Sequence, residues 1–545
     1  MKQTSTSDHR TIAPSFNAPS IESYKGPWGR AQITHLLRRT TYGATINDIK
    51  IAETLNMDGL ITRLLEDREL PDPPINYYFT GDPFVEVGES WVDQPYEREN
   101  NMLVNSRRRS LAGWTIGNLL NGRNHIQEKM TLFWSNHFVT QASVLNDPNF
   151  IYFNNNLLRS HALGNFRTLV KAVTINPAML RYLNGNQNAV GSPNENYARE
   201  LFELFTIGKG DLAGPGDYTT FTEQDVTEAS KILTGWRDTG YFHNDLQPAG
   251  SRFFAGRHDR STKQLSHRFN NAVITNQGEI EYEFLIDTIL EQEEVSKYIV
   301  RKLYRWFVYY KIDESIEANI IEPLAALFRN SNYEVKPVLQ ALLSSEHFYE
   351  ISSVGPMIKN PIDFVINLLV QFELPFPDGI LARYNAWARL AAIFEQFGMS
   401  YYEPPNVAGW KAYYQEPLFY RTWITAATLP QRQELTQVIV GGQVDLGDVN
   451  FTMDILDLIS KFENPEDPNS LIAELVSIIL PQPLTENQLA FLKEALIPGL
   501  PDFEWTVEYN LYLNDPNDEE MRRSVEVKLR SMLNTLLTLP EYYLS

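Results

Sequence analysis

The chain contains no cysteine among its 545 residues. That absence removes disulfides, thiolate nucleophiles, iron–sulfur clusters and Cys-ligated zinc together, so any metal must be held by His, carboxylates or carbonyls. It leaves the compartment open, because oxidising and reducing locations both tolerate a thiol-free chain. Positive charge is also scarce: 47 Lys and Arg face 68 Asp and Glu, for a formal charge of −21 and a pI near 5.0. A nucleic-acid partner requires a basic stripe, and Arg107-Arg108-Arg109 is too short to supply one, so none is expected. No apolar run approaches the roughly 18 residues of a membrane span, and no transmembrane segment is expected. The first ten residues are polar and lack the apolar stretch of a signal peptide, which makes the cytoplasm the default location. Arg38-Arg39 resembles a twin-arginine export signal only superficially, since no long apolar segment follows.

What is present is the composition of a folded globular protein, with 43% hydrophobic and 12% aromatic residues. Near-continuous 3.6-residue periodicity predicts a mainly α fold, a large multi-helix assembly with a small β excursion around 238–272. Residues 1–20 read as a disordered tail, 21–437 as the main helical domain, and 438–545 as a C-terminal helical subdomain packed on it. The proline-rich stretch 71–97 reads as irregular. The glycine spacing of Gly208–Asp217 matches no phosphate-binding loop and predicts a mobile surface loop.

Polar chemistry concentrates on Asn194–Phe205. Tyr197, Ala198, Leu201, Phe202, Leu204 and Phe205 form an apolar stripe, while Asn196, Arg199, Glu200 and Glu203 share the other face of a helix that runs to Gly208. Asn194 supplies the start signal. Glu200 and Glu203 stand close enough to share a cation or a proton, and Arg199 can hold a carboxylate or an incoming anion. A solvated amphipathic face is the plain alternative.

Other segments offer groups that such a site would recruit. His137 ends an aromatic-rich helix as a candidate ligand or general base, or as a packed imidazole satisfying the helix dipole. Asp225 closes the capping box Thr222-Glu223-Gln224-Asp225, where capping is its simplest role. His258, Asp259, Lys263 and His267 form the densest ionisable cluster, read either as site residues or as a solvated hairpin tip around Gly256–Asp259. The loop Tyr401–Trp410 is shaped by Pro404 and Pro405, and Asn406, Trp410 and Arg421 are its candidate substrate contacts. Trp410, Tyr413, Tyr414, Tyr420 and Trp423 serve either as a ligand platform or as packing.

Seven pieces in order resemble one family, the bacterial proteins catalogued as domain of unknown function 1800. They are His35–Arg39 with Tyr42-Gly43, Phe133-Trp134 with Asn136-His137-Phe138, Pro193–Gly208, and Asp225-Val226 with Leu233–Trp236. His258-Asp259 with Lys263, Lys302-Leu303 and Pro404–Trp410 complete the set. The resemblance implies a mainly helical protein whose genes often neighbour that of a sulfatase-like exported protein. Where family members read Trp-His-Asn-His-Phe, this chain has Trp134-Ser135-Asn136-His137-Phe138, leaving only the second His as a ligand. The resemblance brings no reaction.

Two functions follow as expectations. In the first, Glu200, His137, Asp225, His258 and Asp259 meet in one cleft as catalytic groups of an uncharacterised enzyme, simplest as a hydrolase, with Arg199, Lys263, Asn406, Trp410 and Arg421 binding substrate. Its cofactor would be a divalent metal on Glu200, Glu203 and His137, unless the chemistry is metal-free acid/base catalysis. In the alternative, the polar segments are buried networks, and the chain is a non-catalytic binding or assembly protein acting with a sulfatase-like exported partner.

Overall fold

Short polar side chains set most helix starts, and the computed structural model shows them in place: Asn100, Asp147, Thr222 and Asp467 each accept a first-turn amide. The structure describes residues 19–243, 247–442, 444–445 and 450–545. The tail expected over 1–20 lies almost wholly outside the described residues. In chain order, the helices that frame the molecule are α1 (Arg30–Thr40), α2 (Asn101–Asn121), α3 (Gln127–His137), α4 (Pro148–Ser160), α5 (Asn196–Glu200), α6 (Glu223–Ile232), α7 (Glu281–Leu290), α8 (Glu293–Phe307), α9 (Pro361–Gln371), α10 (Ile380–Gln396), α11 (Thr428–Val440), α12 (Pro468–Ile479), α13 (Glu486–Leu496), α14 (Asp502–Asn514) and α15 (Glu519–Thr538). Helix makes up 58% of the structure. Helices α2 and α10 approach closely because Gly117 of α2 faces the Trp387 ring, where an added Cβ would lie 2.7 Å away.

Strand structure among the described residues is confined to two-stranded antiparallel ribbons. β3 (Trp236–Thr239) with β4 (Gly250–Phe253), and β5 (Lys263–Gln264) with β6 (Val273–Ile274), form the expected β excursion. The turn does not fall at Gly256–Asp259, as the sequence predicts; Ala255–Arg257 is a short 3₁₀ turn, and β3 and β4 are joined between Thr239 and Gly250. Two further ribbons correct the sequence reading. The presumed surface loop 208–217 contributes β1 (Leu212–Gly214), which pairs with β2 (Asp217–Tyr218). Thr220 ties its base, donating to the Gly208 carbonyl at 2.6 Å and accepting from the Gly210 amide at 3.1 Å. Within the acidic joint after 438, β7 (Val444–Asp445) pairs with β8 (Asn450–Phe451).

One apolar cluster runs from Ile33 to Tyr543, and Leu471, Leu492, Trp505 and Leu533 of α12–α15 belong to it with Leu36 of α1 and Phe364 of α9. Polar contacts cross the same junction: Arg38 of α1 donates to the Ile478 and Leu480 carbonyls at 3.3 and 3.0 Å, where α12 ends. Among the described residues, no helix is long and apolar enough to cross a membrane.

Candidate functional site

The segment with the richest polar face is not a uniform α-helix. After α5 the backbone widens into a π-turn over Leu201–Thr206, with the Thr206 hydroxyl donating to the Leu201 carbonyl five residues back at 2.5 Å. Phe202 and Phe205 of this turn are both fully buried. Asn194 supplies the expected start, accepting from the Asn196 amide at 2.9 Å. Arg199 engages Glu223 of α6 in a bidentate pair at 2.8 and 2.7 Å, with Glu195 at 3.3 Å, so it clamps α5 to α6. Glu203 pairs with Lys209 at 2.7 Å. Glu200 alone keeps a half-buried carboxylate that no side chain or amide of the described residues hydrogen-bonds, and burial together with Glu203 pushes its pKa up.

His137 is fully enclosed and committed at both ring nitrogens. Nε2 donates to the Phe205 carbonyl at 3.0 Å, which leaves Nδ1 to accept from Lys302 Nζ at 3.1 Å. Burial, then the Lys302 charge, hold the imidazole well below its ordinary pKa. Lys302 itself, on α8, also reaches the Leu204 carbonyl and lies over the Tyr298 ring. Burial and the nearby Arg305 push its pKa down to about 7. Sequence reasoning assigned no chemistry to this lysine, because it stands in a crowded aromatic helix.

Asp225 is likewise saturated. Its buried carboxylate accepts from the Thr222 amide and hydroxyl at 2.7 and 2.9 Å, completing the capping box, and from the Ser266 amide and hydroxyl at 2.7 and 2.6 Å. It pins the start of α6 to the end of the β5 ribbon. The cluster beside it centres on Glu281, the first residue of α7, which the sequence reading passed over. Glu281 is fully buried between His258 Nε2 at 3.0 Å and Lys263 Nζ at 2.6 Å; burial alone would raise its pKa, yet these two partners hold it below the usual carboxylate range. The other ring nitrogen of His258 meets the Thr234 carbonyl at 2.9 Å, and Asp259 turns back to the Ser261 amide at 2.8 Å. His267 lies apart, outside, at 3.6 Å from Asp217.

In the proline loop, Asn406 accepts from the Ala408 amide at 2.9 Å and donates to Tyr414 at 3.0 Å, while the buried Trp410 donates its amide to Asn136 at 2.8 Å. Arg421 stacks outside on Tyr310 and Tyr420. The residues expected in one cleft are each bonded within their own neighbourhood: His137, Asp225 and His258 have different hydrogen-bond partners, and Lys263, Asn406 and Trp410 are tied to Glu281, Tyr414 and Asn136. Among the described residues, no three His, Asp or Glu gather to hold a metal, so Glu200, Glu203 and His137 do not form a centre. A cavity of about 340 Å³ opens elsewhere, with Arg63, Asn118, Asn124 and His125 on its walls. Its amide-rich lining comes partly from the Asn121–Asn124 helix break, which sequence reasoning treated as punctuation.

Fold and networks together define a helical protein whose ionisable groups mostly fasten one element to the next. The chain belongs to the family described as protein of unknown function (DUF1800), whose model matches residues 35–544. No curated protein and no solved structure matches it.

Proposed function

We propose that the chain is a non-catalytic binding or assembly protein that docks a partner protein on α14. The observation that carries this reading is an uncovered apolar stripe. Helix α14 buries Trp505 and Tyr509 on its inner side, whereas Phe503, Val507 and Leu511, four residues apart and therefore in line, are 61%, 52% and 50% exposed. Leu500 extends the line before the helix begins. Leaving a phenylalanine and two aliphatic side chains in water is unfavourable by about 1.5–3 kcal/mol each relative to burial, and contiguous exposed apolar surface marks interaction sites.

Beyond the stripe the chain presents exposed Asp515, Asp518, Glu519 and Glu520. A second copy would set this acidic rim against its own kind, so the complementary occupant is a different protein with an apolar groove and a basic rim. The family resemblance offers a candidate, a sulfatase-like exported protein. Saturation of Asp225, His137 and His258 weighs in the same direction, because groups bonded on every side are poor acids, bases and ligands.

Purified chain and candidate partner should co-sedimentate as a complex, and the double variant Phe503→Ser, Leu511→Ser should keep its helical circular dichroism and lose the complex. Hydrolytic activity abolished by Glu200→Gln and untouched by the α14 variant would return the function to the enzyme reading.

A further inference from the structure

The cavity of about 340 Å³ lies where α2 ends and the chain breaks before α3, facing the segment that leaves the helix Met57–Leu64. Its walls are fastened by groups with little bonding capacity to spare. His125 donates Nε2 to the Glu66 carbonyl and accepts the Gln127 amide on Nδ1 at 3.0 Å, and the Ile126 amide reaches the Leu64 carbonyl at 3.2 Å. Glu128 holds Arg159 through two bonds at 2.6 and 3.0 Å, and Asn124 donates to Asp48 at 3.0 Å. The space is therefore shaped by the fold before any ligand arrives, which lowers the cost of binding.

What the walls leave uncommitted is polar. Apart from Pro71, no wall residue carries a hydrocarbon side chain, in a chain that is 43% hydrophobic. Among the described residues, Arg63, Arg68 and Glu69 of the wall form no ion pair, and the side chains of Asn118 and Asn121 form no hydrogen bond. Arg68 and Glu69 are exposed at the rim, so both can turn onto a ligand without breaking a bond. Burial lowers the pKa of the His125 ring and the Arg68 charge lowers it further, which puts that charge beside this wall. The Asn118 amide nitrogen is buried with no acceptor, so this side chain gains a bond by turning to a ligand. Guanidiniums only donate and are matched by an anionic acceptor. The Glu69 carboxylate only accepts and is matched by a cationic donor, while a carboxamide does both, as a peptide group does. Room agrees with a molecule that combines the three: at about 30 Å³ for each water-sized group the cavity takes roughly ten, close to the heavy atoms of the smallest dipeptides. We propose that this cavity binds a zwitterionic dipeptide with small side chains, its carboxylate answered by Arg63 and Arg68, its ammonium by Glu69 and its peptide group by the Asn118 and Asn121 amides.

Calorimetric titration of the full chain with glycylglycine, glycine, succinate and glucose tests the proposal. Saturable binding of glycylglycine is expected, tighter than that of the other three. Arg68→Gln and Glu69→Gln stand at exposed positions, should keep the circular dichroism of the unaltered chain, and should each weaken glycylglycine about tenfold, the size of one hydrogen bond to a charged group. Absence of saturation with glycylglycine, equal binding of glycine, succinate or glucose, or unchanged affinity in either variant would overturn it.

Discussion

Lys302 shows how a residue's surroundings rewrite its chemistry. Burial and the nearby Arg305 lower the pKa of its ammonium from the ordinary 10.5 to about 7 in the fold. Between those values the unfolded chain holds the extra proton, so stability gained from this group rises with pH; below about pH 7 the penalty is present in full. Lys302→Met removes the penalty at every pH and also a donor to His137, a cost that does not depend on pH in this range. The variant's stability relative to wild type should therefore fall as pH is raised from 7 to 10. Chemical denaturation of both proteins at the two pH values measures it, and a difference independent of pH would show that Lys302 keeps an ordinary pKa. The same contrast separates Glu200 from its neighbours: Arg199 and Glu203 are paired, while Glu200 has no hydrogen-bond partner, and burial and Glu203 push its pKa up against the opposing pull of Arg199 and Lys209. Its place on the polar face was readable from spacing, but its lack of a partner was not.

At the scale of elements, the 401–410 loop is fastened to α3 by a contact that only glycine permits. Gly409 has φ +89, and an added Cβ would lie 2.6 Å from the Asn136 carbonyl oxygen. The adjacent Trp410 amide donates to the Asn136 side chain. Gly409→Ala should force the loop off α3, break that bond and destabilise the protein by about 2–4 kcal/mol, a sum of left-handed strain and a lost buried hydrogen bond. Thermal unfolding checks it, and an unchanged midpoint would mean that the loop moves freely. Both Asn136 and Gly409 stood out in the sequence, as parts of two motifs far apart in the chain. Periodicity has no means of pairing them, since the pairing depends on how α3 and the loop meet.

For the whole molecule, the apolar cluster that joins α1 and α9 to α12–α15 sets a limit on cutting the chain. Residues 21–437 alone would expose the surface that Leu471, Ile472, Leu475 and Val476 of α12 cover, and would leave the Arg38 guanidinium without the Ile478 and Leu480 carbonyls. Such a fragment is expected to aggregate or to lose cooperative unfolding, while the full chain melts in one transition. Expression of both, followed by scanning calorimetry, decides; a soluble fragment with a sharp transition of its own would show two independent units.

Mainly helical architecture, the helix starts at Asn194 and Thr222, and the family were set by the sequence itself, because helical period, capping and ordered motifs are local properties of a chain. The absence of cysteine likewise settled which metal sites and redox chemistry were closed. Tertiary structure decided the rest. It placed Glu281 between His258 and Lys263, turned Asp225 inward onto Ser266, and brought Arg63 and Asn118 to one cavity. These residues lie tens of positions apart, so their partners follow from packing directions and burial, and a buried charge acquires its meaning only from the groups that the whole fold brings to it.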